Sequence, residues 1–416
     1  MATAQAAVRR PVAAVTSRPV LAAGLGCLLL VALGVVSAYP DASPLSPDHS
    51  GDDRRWAWLY LGGSVAAFGF YLGGLVLLSR GRGRLRLVLA LACAIQLVPL
   101  AGPVLLSTDV YTYWARGRVA PVHGGNPYSD APSRYPGDPA YSRMGADWRD
   151  RPTGYGPAFT LVSEGHAVVA GGSPVAAALL YKAIAAASML ILVSLAAGLA
   201  HDRAFAAAFV GWNPLLALHF AGGGHNDALV AAFVLAAIAL AARGRPQLAG
   251  AAWASAIALK WFPLVLLPLR ALEAWRTGRP VRHLGFAAAA ALIAGLAFWR
   301  YGTEWLAGSL NFSRQLGRTT SMSPSDRLAD LGVSEGVAIA GLASVFALAY
   351  LWLLREAWRG RARLGLCACL LLLTTSWLVP WYAVWAVPLA AVEEDRAARL
   401  LALALSAYLL RGAVPL

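Results

Sequence analysis

The chain has 416 residues, 58% of them hydrophobic and only 13% charged, with a mean hydropathy of +0.58. Soluble domains carry about a quarter charged residues, so a water-soluble protein is excluded, and the long apolar stretches must satisfy their backbone amides in lipid as helices. The formal charge of +14 comes almost wholly from arginine; in a membrane protein basic residues mark cytoplasmic loops, and no nucleic-acid partner is expected.

Arg9, Arg10 and Arg18 precede the first apolar run, 19–39, which ends in Val36-Ser37-Ala38, a passable signal-peptidase site. With many spans following, a retained anchor is the expectation. Residues 1–18 read as a cytoplasmic tail and 19–416 as one multi-span domain, an all-α polytopic bundle with interfacial helices in its external loops. Runs of spanning length continue at 56–78 and 87–106. The stretches 1–18, 79–86, 201–203, 243–247, 270–283, 355–363 and 393–399 hold 20 of the 35 Lys and Arg but 6 of the 21 acidic residues. That asymmetry puts the N-terminus inside and exports loops 40–55, 107–156 and 301–333.

Parity then constrains the middle of the chain. With 107–156 outside and 201–203 inside, one crossing fits between them; 174–200 supplies it, which makes 155–171 a half-length or interfacial helix. By the same logic 248–270 is two short helices broken near Lys260 and Pro263. Breaks at membrane depth are tolerated where they line a protein cavity. The four cysteines, Cys27, Cys93, Cys367 and Cys369, lie in apolar segments and offer neither a disulfide framework nor a metal site. No internal repeat is detected.

Three constellations could carry chemistry. Loop 107–156 is dense in Tyr, Trp, Asn, Asp, Arg, Gly and Pro, a composition that stacks on sugar rings and binds hydroxyls, although an interfacial aromatic belt would look similar. Within it Asp109 lies within a turn of an apolar run, with Ser107 and Thr108 before it, where it could take a hydroxyl proton or cap the next helix. The second is Trp212-Asn213-Pro214 with His219 and Gly222-Gly223-Gly224-His225-Asn226-Asp227. Its glycines permit close backbone approach and its free amides favour an anionic or hydroxyl-rich ligand; helix capping by Asn226 or Asp227 is the plain alternative. The third is Lys260 in an apolar run, facing either a lipid phosphate or, by snorkelling, the interface. Glu164 and His166 have no assigned role. The chain has no Walker motif, dinucleotide fingerprint or HExxH, so nothing suggests a nucleotide donor. A transporter would also have broken helices and charge at membrane depth, but the long polar external loop and the lack of a repeat speak against one.

The segments STDVYTYWARG, GGNPY, TGYGPAF, WNPLLALHFAGGGHNDALV, ALKWFPLVLLP and PWYAVWAVPLAA together resemble the polyprenyl-phosphomannose-dependent α-1,6-mannosyltransferases of high-GC bacteria, members of the C-type glycosyltransferase superfamily. The resemblance runs from about 105 to 390, and GGGHNDALV after NPL is its most specific element. It implies a plasma-membrane enzyme acting on the external face. A polyprenyl-phosphate sugar would be the donor, mannose before arabinofuranose or glucose, and a glycan or glycolipid the acceptor. It further implies Asp109 as the base, with the HND segment and external loops lining the sugar cavity. On that basis Lys260 and His225 are expected at the donor phosphate, and Tyr113, Trp114, Asn126, Tyr128, Tyr155, Asn226 and Asp227 at the sugars. Many superfamily members carry an acidic pair near Asp109, where this chain has Val110; no metal or other cofactor is therefore expected.

Overall fold

A computed structural model describes residues 17–81, 83–279, 283–310 and 319–416, and among them it contains helices and loops but no strand. Of the expected topology, residues 1–16 of the tail, Arg82, 280–282 and 311–318 of the third external loop lie outside the described residues. Helices α1 (Arg18–Val36) and α2 (Arg54–Ser79) pack as an antiparallel pair. Asp53 starts α2 by accepting the Arg55 N–H, one of the orphan donors of a helix N-terminus. Helix α6 (Pro174–Leu199) runs through the middle of the bundle, against α4 (Asp109–His123), α5 (Pro157–Ala170), α7 (Arg203–Gly211) and α9 (Asp227–Ala242).

By length and composition α1, α2, α6, α12 (Leu284–Tyr301) and α13 (Glu335–Trp358) can each cross a membrane, five helices among the described residues. Helix α7 and the segment Pro214–Gly222, which opens as α8 (Pro214–Ala217), form a sixth candidate bent by 50° at Asn213-Pro214. The apolar run 87–106 does not form one straight helix. Helix α3 (Leu85–Leu97) tightens into a 3-10 turn at Val98–Ala101 and then stops, because Pro99, Gly102 and Pro103 remove donors and disfavour helical backbone. The carbonyls left open there are met by buried Lys182 of α6, whose Nζ donates to the oxygens of Leu100 (3.3 Å), Gly102 (2.6 Å) and Pro103 (3.3 Å).

Both shortened segments expected from parity are present. Helix α5 has 14 residues, about 21 Å at 1.5 Å per residue and too short for a bilayer core of about 30 Å. Helix α10 (Pro246–Leu259) stops at Lys260, whose backbone is extended (φ −158°, ψ 141°), before the turn Phe262–Val265 and helix α11 (Leu267–Arg276).

At one end of α6 three of the basic stretches meet, 201–203, 355–363 and 393–399. Arg363 pairs with Asp395 (2.6 Å), Glu394 accepts the His201 N–H (2.9 Å), and the Glu393 carboxylate takes the N–H groups of Leu364 and Gly365. At the other end lie loops 40–55 and 107–156, joined where Asp48 accepts the Tyr111 hydroxyl (2.7 Å) and an Arg143 guanidinium N–H (2.9 Å).

Candidate active site

The site begins at the first residue of α4. The N-cap of α4 is Thr108, which makes no side-chain cap bond, and Ser107 Oγ accepts the Asp109 N–H (3.1 Å); the Asp109 carboxylate does not cap and makes other contacts. One turn on, where helical side chains share a face, Tyr113 donates its hydroxyl to Asp109 Oδ2 (3.2 Å). The same oxygen lies 3.2 Å from His225 Nδ1. Burial pushes the Asp109 carboxyl up, but His225, Tyr113 and Lys260 outweigh burial and hold it below the ordinary carboxylate value.

His225 reaches Asp109 because of Gly224, whose φ of +68° is a left-handed backbone that L side chains avoid and whose missing Cβ leaves room for Val110 of α4. The imidazole is fully buried and stacked on Trp381, with ring centroids 3.6 Å apart and 12° between planes. Among the described residues neither ring nitrogen has a partner in hydrogen-bond geometry; the 3.2 Å approach to Asp109 is close but not aligned. Asn226 stands at the N-cap of α9 without capping it, and both ends of its amide are buried without a protein partner. Asp227 does not cap either. Its Oδ1 accepts Lys260 Nζ and Trp385 Nε1, both at 2.7 Å, while Oδ2 has no partner.

Lys260 therefore does not snorkel. It sits at the break after α10, where Leu259 O, freed from the helix ladder, accepts the Gly156 N–H (3.2 Å). Only glycine fits at 156, since a Cβ there would run into Ala258 O. This contact brings Tyr155 beside the break. The ammonium lies 4.6 Å from the Tyr382 ring centroid, 5.4 Å from Trp385 and 5.9 Å from Tyr155, within the range over which ring faces attract cations.

The structure thus brings Asp109, Tyr113, Tyr155, His225, Asn226, Asp227 and Lys260 into one region. Three other expected residues fasten the loop instead. Asn126 donates from Nδ2 to Tyr301 O (2.8 Å) and accepts the Tyr128 N–H (3.1 Å). Tyr128 donates its hydroxyl to Tyr155 O (3.0 Å). Trp114 is buried beneath the Arg118 guanidinium (5.3 Å), which Asp138 holds at 2.8 Å. Glu164 pairs with Arg300 of α12 (3.0 Å). Residue-type reasoning passed over Trp381, Tyr382 and Trp385, although three large aromatics between Pro380 and Pro388 were a readable sign of a built wall.

An all-helical membrane protein with a carboxylate, an imidazole and a paired ammonium walled by aromatic rings is the class that fold and site define. Residues 15–276 match the model of the family described as "Alpha-(1->6)-mannopyranosyltransferase, N-terminal domain", and the chain belongs to that family. A Mycolicibacterium smegmatis protein named "Probable alpha-(1->6)-mannopyranosyltransferase" is 28% identical over 355 residues, covering 70% of this chain and 62% of the relative. The Mycobacterium tuberculosis "Alpha-(1->6)-mannopyranosyltransferase A" is 31% identical over 210 residues, covering 48% and 40%. A Corynebacterium glutamicum protein of the same name is 29% identical over 178 residues, covering 41% and 36%. The chain thus spans less than two thirds of the length of these relatives. No solved structure matches it.

Proposed function

We propose that the protein transfers mannose from a polyprenyl-phosphate mannose donor to a glycan or glycolipid acceptor on the external face of the plasma membrane, with inversion at the anomeric carbon. The reading of the sugar rests on the names of the relatives, and that of the reaction on Asp109. Its carboxylate is kept ionised and free of capping duty beside buried, unpartnered polar atoms of His225, Asn226 and Asp227. Such atoms are costly to bury unless a ligand completes them, and sugar hydroxyls match their mixed donor and acceptor character.

In the reaction Asp109 takes the proton of an acceptor hydroxyl while that oxygen bonds to the anomeric carbon. The bond from the anomeric carbon to the phosphate oxygen breaks on the opposite face, and the diester monoanion leaves as a phosphate monoester with one more negative charge. A phosphate leaving group needs positive charge rather than the second carboxylic acid of a glycosidase.

Incubating membranes containing the full chain with labelled polyprenyl-phosphate mannose and short mannosides is expected to give a lengthened, labelled mannoside. Absence of any glycosidic product would overturn transfer, and product only from another lipid-linked sugar would overturn mannose. Introduced cysteines at Asn126 and Ser321 should react with an impermeant reagent in intact cells, and one at Arg361 should not; the reverse would move the site to the cytoplasmic face.

A further inference from the structure

The phosphate that leaves needs a cation whose charge is not already spent. Lys260 is 2.7 Å from the Asp227 carboxylate, so most of its field is answered inside the protein. Arg116 presents the opposite case. It is 6% exposed, and among the described residues no carboxylate lies within ion-pair distance of it. Its Nη2 donates to Arg151 O at 3.3 Å, and its Nε is buried without a protein partner. Burial weakens the guanidinium's hold on its proton, Tyr155, Asp109 and Tyr113 strengthen it, and Arg151 weakens it again. The groups around Arg116 are therefore those of the site.

Position along the helix agrees. Arg116 follows Asp109 by seven residues, two turns and about 10 Å along the axis of α4, on the same face. Helical side chains lean toward the N-terminus, the direction of Asp109 on this helix. A second guanidinium is drawn to the same place: Arg116 lies 5.4 Å and Arg151 5.8 Å from the Trp148 ring centroid. Two like charges held on one indole repel, and an anion between them removes the repulsion.

Resting on the mannosyl-transfer reading, we propose that Arg116, with Arg151 beside it, receives the donor's phosphate and, in preference to Lys260, stabilises the charge that develops as the anomeric bond breaks. A guanidinium presents paired N–H donors to phosphate oxygens, which an ammonium does not.

The test measures binding of a polyprenyl monophosphate to the solubilised full chain, with the neutral polyprenol and inorganic phosphate as controls. Arg116→Gln is expected to weaken the monophosphate by about 10- to 100-fold, the loss of one charge-assisted contact, and to leave the neutral polyprenol unchanged. Inorganic phosphate should compete in the wild type; if it alone shows the Arg116 dependence, the site takes free phosphate and not the lipid headgroup, and the proposal falls. Wild-type monophosphate affinity in Arg116→Gln also overturns it. Should that variant not fold, Arg116→Lys and the exposed-site variant Arg151→Gln decide: both are expected to bind more weakly, and wild-type affinity in both overturns the proposal. Arg116-dependent binding by a chain that makes no mannoside would keep the phosphate site and sink mannosyl transfer. Normal transfer with unaltered Arg116→Gln would do the reverse.

Discussion

The two ends of α6 both gather charge, but they settle it differently. At the arginine-rich end Arg363 finds Asp395, Glu394 finds the His201 amide, and Glu393 holds two backbone N–H groups. At the other end the ring nitrogens of His225, the amide of Asn226, one oxygen of Asp227 and Arg116 Nε are buried without hydrogen-bond partners among the described residues. A saturated network fixes how helix ends pack and gives a ligand nothing to complete. An unsaturated one costs stability in the free protein, and that cost is offset when a substrate supplies the missing donors and acceptors. Charge composition separates these ends in topology but does not say which network is complete; the hydrogen-bond partners do.

The contrast breaks first at Asp109. Replacing it with Asn keeps size and removes the base, so transfer should fall by about 10²- to 10⁴-fold with normal expression and thermal stability. Near-wild-type turnover of Asp109→Asn in the membrane assay would remove it from the chemistry. The next effect is expected at Lys260, which is paired with Asp227 inside the unsaturated end. Lys260→Met leaves the Asp227 carboxylate buried with Trp385 alone and should cost about 3–5 kcal/mol. Adding Asp227→Asn should recover much of that loss, because the orphaned charge is gone. Denaturation of the single and double variants checks this coupling, and additive losses would refute it. At the saturated end Glu393→Ala strands the Leu364 and Gly365 amides, for an expected about 1–3 kcal/mol of stability with unchanged turnover per folded molecule.

The smallest expected effect is on pH. Because the Asp109 pKa is lowered, the base stays ionised above the ordinary carboxylate value of about 3.9. Its contribution to stability is likewise present above that value and lost only as pH falls through the lower folded pKa. Transfer should therefore show no Asp109-dependent decline between about pH 8 and about pH 5. A wild-type titration in that window that disappears in Asp109→Asn would contradict the lowered pKa.

Much of this is readable from sequence where one residue type dictates local backbone. The break at Lys260 follows from Pro263 together with loop parity, and the short α5 from parity alone. The end of α3 at Pro99 is equally local, but hydropathy hides it, since 87–106 is apolar throughout. The site is legible only by residue type. Asp109, His225 and Lys260 stand out as polar groups next to apolar runs, whereas what each one touches depends on distant chain. Asp227 is 33 residues from Lys260 and 158 from Trp385. Nothing local says that Asn126 is spent on Tyr301 or that Arg116 meets no acid among the described residues.

The bond from Gly156 to Leu259 also carries an instruction about biogenesis. It joins residues 103 apart, so it can form only once both the loop that ends at Gly156 and the end of α10 have been synthesised. Trp385 reaches Asp227 later still, after another long stretch of chain has left the ribosome. The centre therefore lacks its aromatic wall until the segment around 380–388 has been made.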